Sequence, residues 1–129
     1  TPHALVNDGN RWHVRAYCHK RKEFRDFTLT RIKNAQYVGL DQERASMDTE
    51  WNNIVSVILT PHPELSSARR CLIERDYSME NGEMLIECRQ ALLLYLLFQL
   101  NLTDDQATQR PEVIQLALKN RDEIYGLVY

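Results

Sequence analysis

Arg11-Trp12-His13-Val14-Arg15-Ala16-Tyr17-Cys18-His19 is the stretch that decides the fold. Trp12, Val14, Ala16 and Cys18 alternate with His13, Arg15, Tyr17 and His19, and this period of two predicts a β-strand with unlike faces. Trp, Val and Tyr suit a pleated surface. Upstream, Asn7-Asp8-Gly9-Asn10 is a turn cluster between apolar stretches, and Asp-Gly is a hairpin signal. Downstream, Lys20 to Glu23 is a polar turn. Phe24 to Ile32 predicts a second strand, with Arg25, Phe27, Leu29 and Arg31 on one face and Phe24, Asp26, Thr28, Thr30 and Ile32 on the other. The two strands are expected to pair as a hairpin, and Gln36 to Leu40 offers a short third strand.

Asp41 to Asn53 is polar, acidic and aperiodic, the pattern of a linker or wrapped connection; Trp51 there is expected to anchor it by packing. Beyond it the period changes. Ile54 to Leu59 predicts a β-branched strand ended by Thr60-Pro61-His62-Pro63, with His62 a turn or helix-cap residue. Leu65, Ala68 and Leu72 recur at helical spacing up to about Arg75. Asn81-Gly82 marks a turn, Met84 to Cys88 a strand, and Gln90 to Asn101 a helix so apolar that both sides are expected to be covered. Asn101 to Pro111 reads as loop, with Asp104-Asp105 as helix-end or turn residues; from Glu112 the tail fits a helix or a buried strand. Strands first and strand–helix units afterwards predict an α+β chain of two small modules.

The chain has 129 residues, 43% hydrophobic and 26% charged, which excludes a disordered or low-complexity polymer. No apolar run reaches the ~18–20 residues that span a bilayer, so no membrane is expected, and there is no secretory pattern. Cys18, Cys71 and Cys88 include no CxxC pair and read as reduced thiols of a cytoplasmic protein, with Cys71 and Cys88 buried and inert. The chain opens on Thr1 without a Met and is expected to belong to something longer. The net charge of -2 hides an asymmetry. Residues 1–33 carry eight Lys or Arg against three acids, a balance of +5; residues 34–129 carry eight against fifteen, a balance of -7. A basic module is joined to an acidic one.

One polar face of the first strand holds His13, Arg15, Tyr17 and His19, about 6.5–7 Å apart in succession. The paired strand can add Arg25 and Arg31, and the turn Arg21. Guanidinium groups and imidazoles gathered on one face suit a phosphate-bearing anion, and Tyr17 or an imidazole can stack on a base. The alternative is a solvated outer face with ordinary ion pairs to Glu23 and Asp26, and spacing alone leans towards it. His13 and His19 are too far apart along a strand to hold one metal ion, and no acidic third ligand stands at useful spacing. There is no G-x-S-x-G, P-loop or glycine-rich nucleotide fingerprint, so no catalytic residues, metal or cofactors are expected.

These residues closely resemble a known family. Pro2-His3-Ala4-Leu5-Val6, the Gly9-to-His19 run and Phe24-Arg25-Asp26-Phe27-Thr28-Leu29-Thr30-Arg31-Ile32 resemble the WYL domain, whose name triad stands here as Trp12-His13-Val14. Leu59-Thr60-Pro61-His62, Ile73-Glu74-Arg75-Asp76-Tyr77 and the Leu92-to-Leu100 run resemble the C-terminal extension (WCX) that often follows it. The resemblance implies an Sm/SH3-like β-barrel, partial here, over residues 1–40, a linker at 41–53 and a ferredoxin-like α/β module over 54–129. It implies barrel strands before Pro2 and a winged helix-turn-helix outside this chain, an exposed sheet edge, and a homodimeric bacterial transcription regulator most like those of phage-defence islands. It also implies a nucleotide or short single-stranded nucleic acid as ligand, held by His13, Arg15, Tyr17, His19, Arg21, Arg25 and Arg31, and no operator binding by this segment alone.

Overall fold

Three antiparallel strands open the chain: β1 (Pro2–Asn7), β2 (Trp12–Cys18) and β3 (Glu23–Thr28), in spatial order β1–β2–β3. The computed structural model describes residues 1–103 and 110–129, so the expectation for Asp104-Asp105 lies outside the described residues. Asp8 closes the first hairpin. Its Oδ1 accepts from the Asn10 and Arg11 N–H groups at 2.8 and 2.6 Å, and Gly9 takes the left-handed φ of 97°. His19 to Lys22 makes the second turn, with Lys22 also left-handed.

The chain divides into two compact units, residues 1–52 and 53–129. In the first, the strand partner missing from the sequence reading is β1, not Gln36 to Leu40. That stretch is irregular and exposed, with Tyr37, Val38 and Leu40 unpacked. The second strand stops at Thr28, and Leu29–Arg31 turns into a 3-10 helix, so Arg31 leaves the sheet. A second 3-10 turn (Arg44–Met47) and the short helix α1 (Thr49–Asn52) complete this unit.

The second unit is built on β4 (Ile54–Pro61), flanked by antiparallel β5 (Met84–Arg89) and β6 (Leu116–Leu118) in the order β5–β4–β6. Val55, Val57 and Leu59 alternate inward from β4. They meet Ile73 of α2 (Ser67–Asp76), Leu93 and Leu97 of α3 (Leu93–Gln99) and Ile124 of α4 (Arg121–Val128) in one aliphatic core. This is α+β with helices over one sheet face. Ser66 caps α2 by accepting from the Arg69 N–H. Asn81-Gly82 makes the tight turn into β5, both residues at positive φ. Beyond β6 the ladder continues through a side chain. Asn120 Nδ2 donates to the Ser56 carbonyl at 2.8 Å, and its Oδ1 accepts the Ile58 N–H at 3.0 Å.

Several expectations for this unit change or resolve. The Gln90-to-Asn101 helix is a 3-10 turn followed by α3, and its far side is open, with Phe98 58% exposed. Ala68 and Leu72 on α2 are exposed rather than packed, and Cys71 beside them is exposed rather than buried. Cys88 is half-buried, and burial raises its thiol pKa. The tail is both of its alternatives in turn, β6 and then α4.

Candidate functional site

The polar face of β2 is not a solvated outer surface. His13 and Arg15 are each 5% exposed, whereas Trp12 on the opposite face is largely open. Arg15 explains the inversion, because a buried guanidinium must be paired. Asp48, 1% exposed, takes it as a two-pronged partner: Arg15 Nε donates to Oδ2 at 2.7 Å and Nη2 to Oδ1 at 2.9 Å. Asp26, opposite Arg15 across the β2–β3 ladder, lies 3.4 Å from Nη1, and Glu50 lies 3.5 Å from Nη2. Burial alone would lower the Arg15 pKa, but Asp48 first and then Asp26 outweigh it and hold the group above its ordinary value.

Asp48 is saturated in turn. It also accepts from His3 Nε2 at 2.9 Å and from the Trp51 N–H at 3.2 Å. Burial pushes its carboxyl up, yet Arg15, His3 and the Trp51 N–H together hold it below the usual range. The His3 ring packs edge-on against Phe24 and Trp51, so Trp51 does anchor the connection. His13 donates to Asp8 Oδ2 at 2.7 Å; His13 first, and then the Arg11 and Asn10 N–H groups, hold the Asp8 carboxyl well below the carboxylate range.

Tyr17 is half-buried with Phe24 and His19 edge-on at its ring, and the Arg44 guanidinium carbon stands 4.4 Å from its centre. His19 is exposed and hydrogen-bonded to Thr1 Oγ1 at 2.7 Å. His13, Arg15 and Tyr17 therefore share one face. Arg25 does not join them: the register sets it opposite Ala16, on the Trp12 side, where it approaches Glu23 at 3.4 Å. Arg21 is exposed in the turn, and Arg31 is exposed on the 3-10 helix beyond β3. The six cations and imidazoles, with Tyr17, do not form a single face.

Sequence reasoning missed Asp48, His3, Arg44 and Glu50. Three of the four lie in the aperiodic connection, where only the excess of acid hinted at a role. Among the described residues no cluster of His, Cys, Asp or Glu suits a metal ion, and no helix is long and apolar enough to cross a membrane.

The resemblance of the first unit to the WYL domain points to a class of regulator, and comparison with known proteins agrees. Residues 54–124 match the family described as BrxR transcriptional regulator, C-terminal dimerization domain, and residues 1–37 match the WYL domain. The chain belongs to this family of WYL-type transcriptional regulators. It is 72% identical over 128 residues to the DNA-binding transcriptional repressor CapW of Pseudomonas aeruginosa. It is 62% identical to CapW of Escherichia coli (strain KTE188) over the same length, and 39% identical over 125 residues to that of Stenotrophomonas maltophilia. These alignments take in 99%, 99% and 96% of the chain but 43%, 43% and 42% of the relatives, so the chain spans less than half of their length.

Proposed function

We propose that this segment is the ligand-sensing and dimerisation part of a bacterial transcriptional repressor of phage-defence genes. In this reading residues 1–40 are part of an Sm/SH3-like barrel, 41–53 a connection, and 54–129 a ferredoxin-like module that pairs two protomers. The ligand is a nucleotide or short single-stranded nucleic acid, and the segment reads no operator by itself. The observation that supports this most is the adjacency of Arg15 and Tyr17 on one face of β2. A guanidinium fork suits a phosphate, and the neighbouring ring suits a base. His13 and His19 flank them, and Arg21, Arg25 and Arg31 supply positive field from outside the face rather than first contacts.

The test is fluorescence anisotropy of a labelled short oligothymidylate against this chain at low and moderate salt. The expected result is binding that weakens steeply with salt, and weakens further in Arg21→Ala/Arg25→Ala. Absence of binding at low salt refutes the ligand.

One observation favours a second reading, an assembly module without a small ligand: Arg15 is already fully paired inside the protein. That reading predicts no oligonucleotide binding, and a change of sedimenting mass in the same Arg21→Ala/Arg25→Ala variant.

A further inference from the structure

Residues 41–52 lie on the side chains that a ligand would need. Asp48 fills the fork of Arg15, Glu50 stands beside it, and Arg44 covers the ring of Tyr17. We propose that this strap is a built-in substitute for the anionic ligand, so that strap and ligand occupy the β2 face in turn and never together. The proposal rests on the ligand reading above and adds how that site is regulated.

The pairing geometry supports it. Asp48 presents two oxygens to Nε and Nη2 of Arg15, as a phosphate group would. Charge supports it too. The strap carries Asp41, Glu43, Asp48 and Glu50 against Arg44, and lies on a unit whose first 33 residues hold a balance of +5.

The strap is also made to come away. It joins no strand ladder, and its helical pieces, Arg44–Met47 and Thr49–Asn52, are a single turn each. Asp48 is its one buried residue, while Glu43, Ser46, Met47, Thr49, Glu50 and Asn52 are exposed. Apart from the Asp48 ion pair the strap has few buried contacts, so its opening is governed by that one pairing, which a competing anion can replace. The strap runs straight into β4, which begins at Ile54. Its release therefore lengthens the covalent connection to the second unit, turning occupancy of the face into a change of tether. Competition in cis also lowers apparent affinity by the fraction of open molecules, which sets a threshold for the response.

The experiment compares oligothymidylate binding by the native chain, Asp48→Asn and Arg44→Ala at one low salt concentration. Both variants are expected to bind at least about fivefold more tightly, within the usual span of coupling between sites. Arg44→Ala is the sharper arm. Losing a cation weakens binding of an anion if charge alone matters, and strengthens it only if Arg44 was in the way. Binding by the native chain, with Arg44→Ala equal or weaker, overturns the strap and leaves the ligand reading standing. No binding by any of the three at low salt overturns the ligand reading and the strap with it. If tryptophan fluorescence shows Asp48→Asn to be misfolded, the partly exposed Arg44→Ala decides the matter alone.

Discussion

The two units bury opposite things. At the centre of the first lie Arg15, Asp48 and His13, and its buried apolar side chains among the described residues are Val6 and Ala16. At the centre of the second lie Val57, Leu59, Leu93, Leu97 and Ile124, none of them measurably exposed. An aliphatic core is held by area and volume, which no titration removes. A buried ion pair is held by the simultaneous presence of both partners and fails when either is lost. The first unit is therefore expected to answer to charge and acid, and the second to keep its shape. In the proposed function that division keeps the sensing part and the dimerising part from melting together.

The units can be watched separately. Trp12 and Trp51 both lie in the first unit, so tryptophan fluorescence reports on it alone. The longer helices α2, α3 and α4 lie in the second and dominate circular dichroism at 222 nm. The largest contrast is expected from Asp48→Ala, which strands a buried guanidinium. It should destabilise the fluorescence-detected urea transition by about 3–5 kcal/mol and leave the dichroism transition in place. A matched loss in both signals would mean that the units unfold as one. Leu93→Ala should do the converse, costing the dichroism transition about 2–4 kcal/mol through the cavity it leaves. A fluorescence transition that moves equally would break the comparison from the other side.

Acid should divide the units less sharply. Asp48 has a folded pKa below its ordinary value of 3.8, so its stabilisation is complete above about pH 4 and is lost as the pH falls through the lower folded value. The Asp8 carboxyl, depressed in the same direction, loses its contribution over the same side of the scale. The fluorescence transition should weaken on going below pH 4 by more than the dichroism transition. Equal weakening would show that neither carboxylate distinguishes the first unit. Ser66→Ala is the smallest expected change, about 1 kcal/mol, from losing the cap of α2. It should move only the dichroism transition, as measured in the same urea experiment.

Much of this was legible in the residues. The alternation of Trp12 to Cys18 gives β2, because a two-residue period has no helical alternative there; Ile54 to Leu59 gives β4 through its β-branched residues, and Met84 to Cys88, a short apolar run after the Asn81-Gly82 turn, gives β5. The side of β2 that faces inwards was not legible. His, Arg and Tyr read as an outer face until a carboxylate from 33 residues away is placed against Arg15. Asp48 lies in a stretch with no period, so nothing local marks it. Nor was the face of Arg25 evident. It follows from the turn at His19 to Lys22, which sets Cys18 opposite Glu23 and so puts Arg25 opposite Ala16. Gln36 to Leu40 is as apolar as a strand, but no neighbouring strand pairs with it. Leu94 and Phe98 read as core because a helix apolar all round is normally covered, yet this unit covers one side of it.

In the proposed switch the strap closes the Arg15 face and a phosphate-bearing ligand opens it. Amide hydrogen exchange of this chain with and without a saturating short oligothymidylate tests it most directly. The account predicts faster exchange across residues 44–52 when the oligonucleotide is bound, with β2 equally or better protected. Slower or unchanged exchange across 44–52 in the bound chain would contradict it.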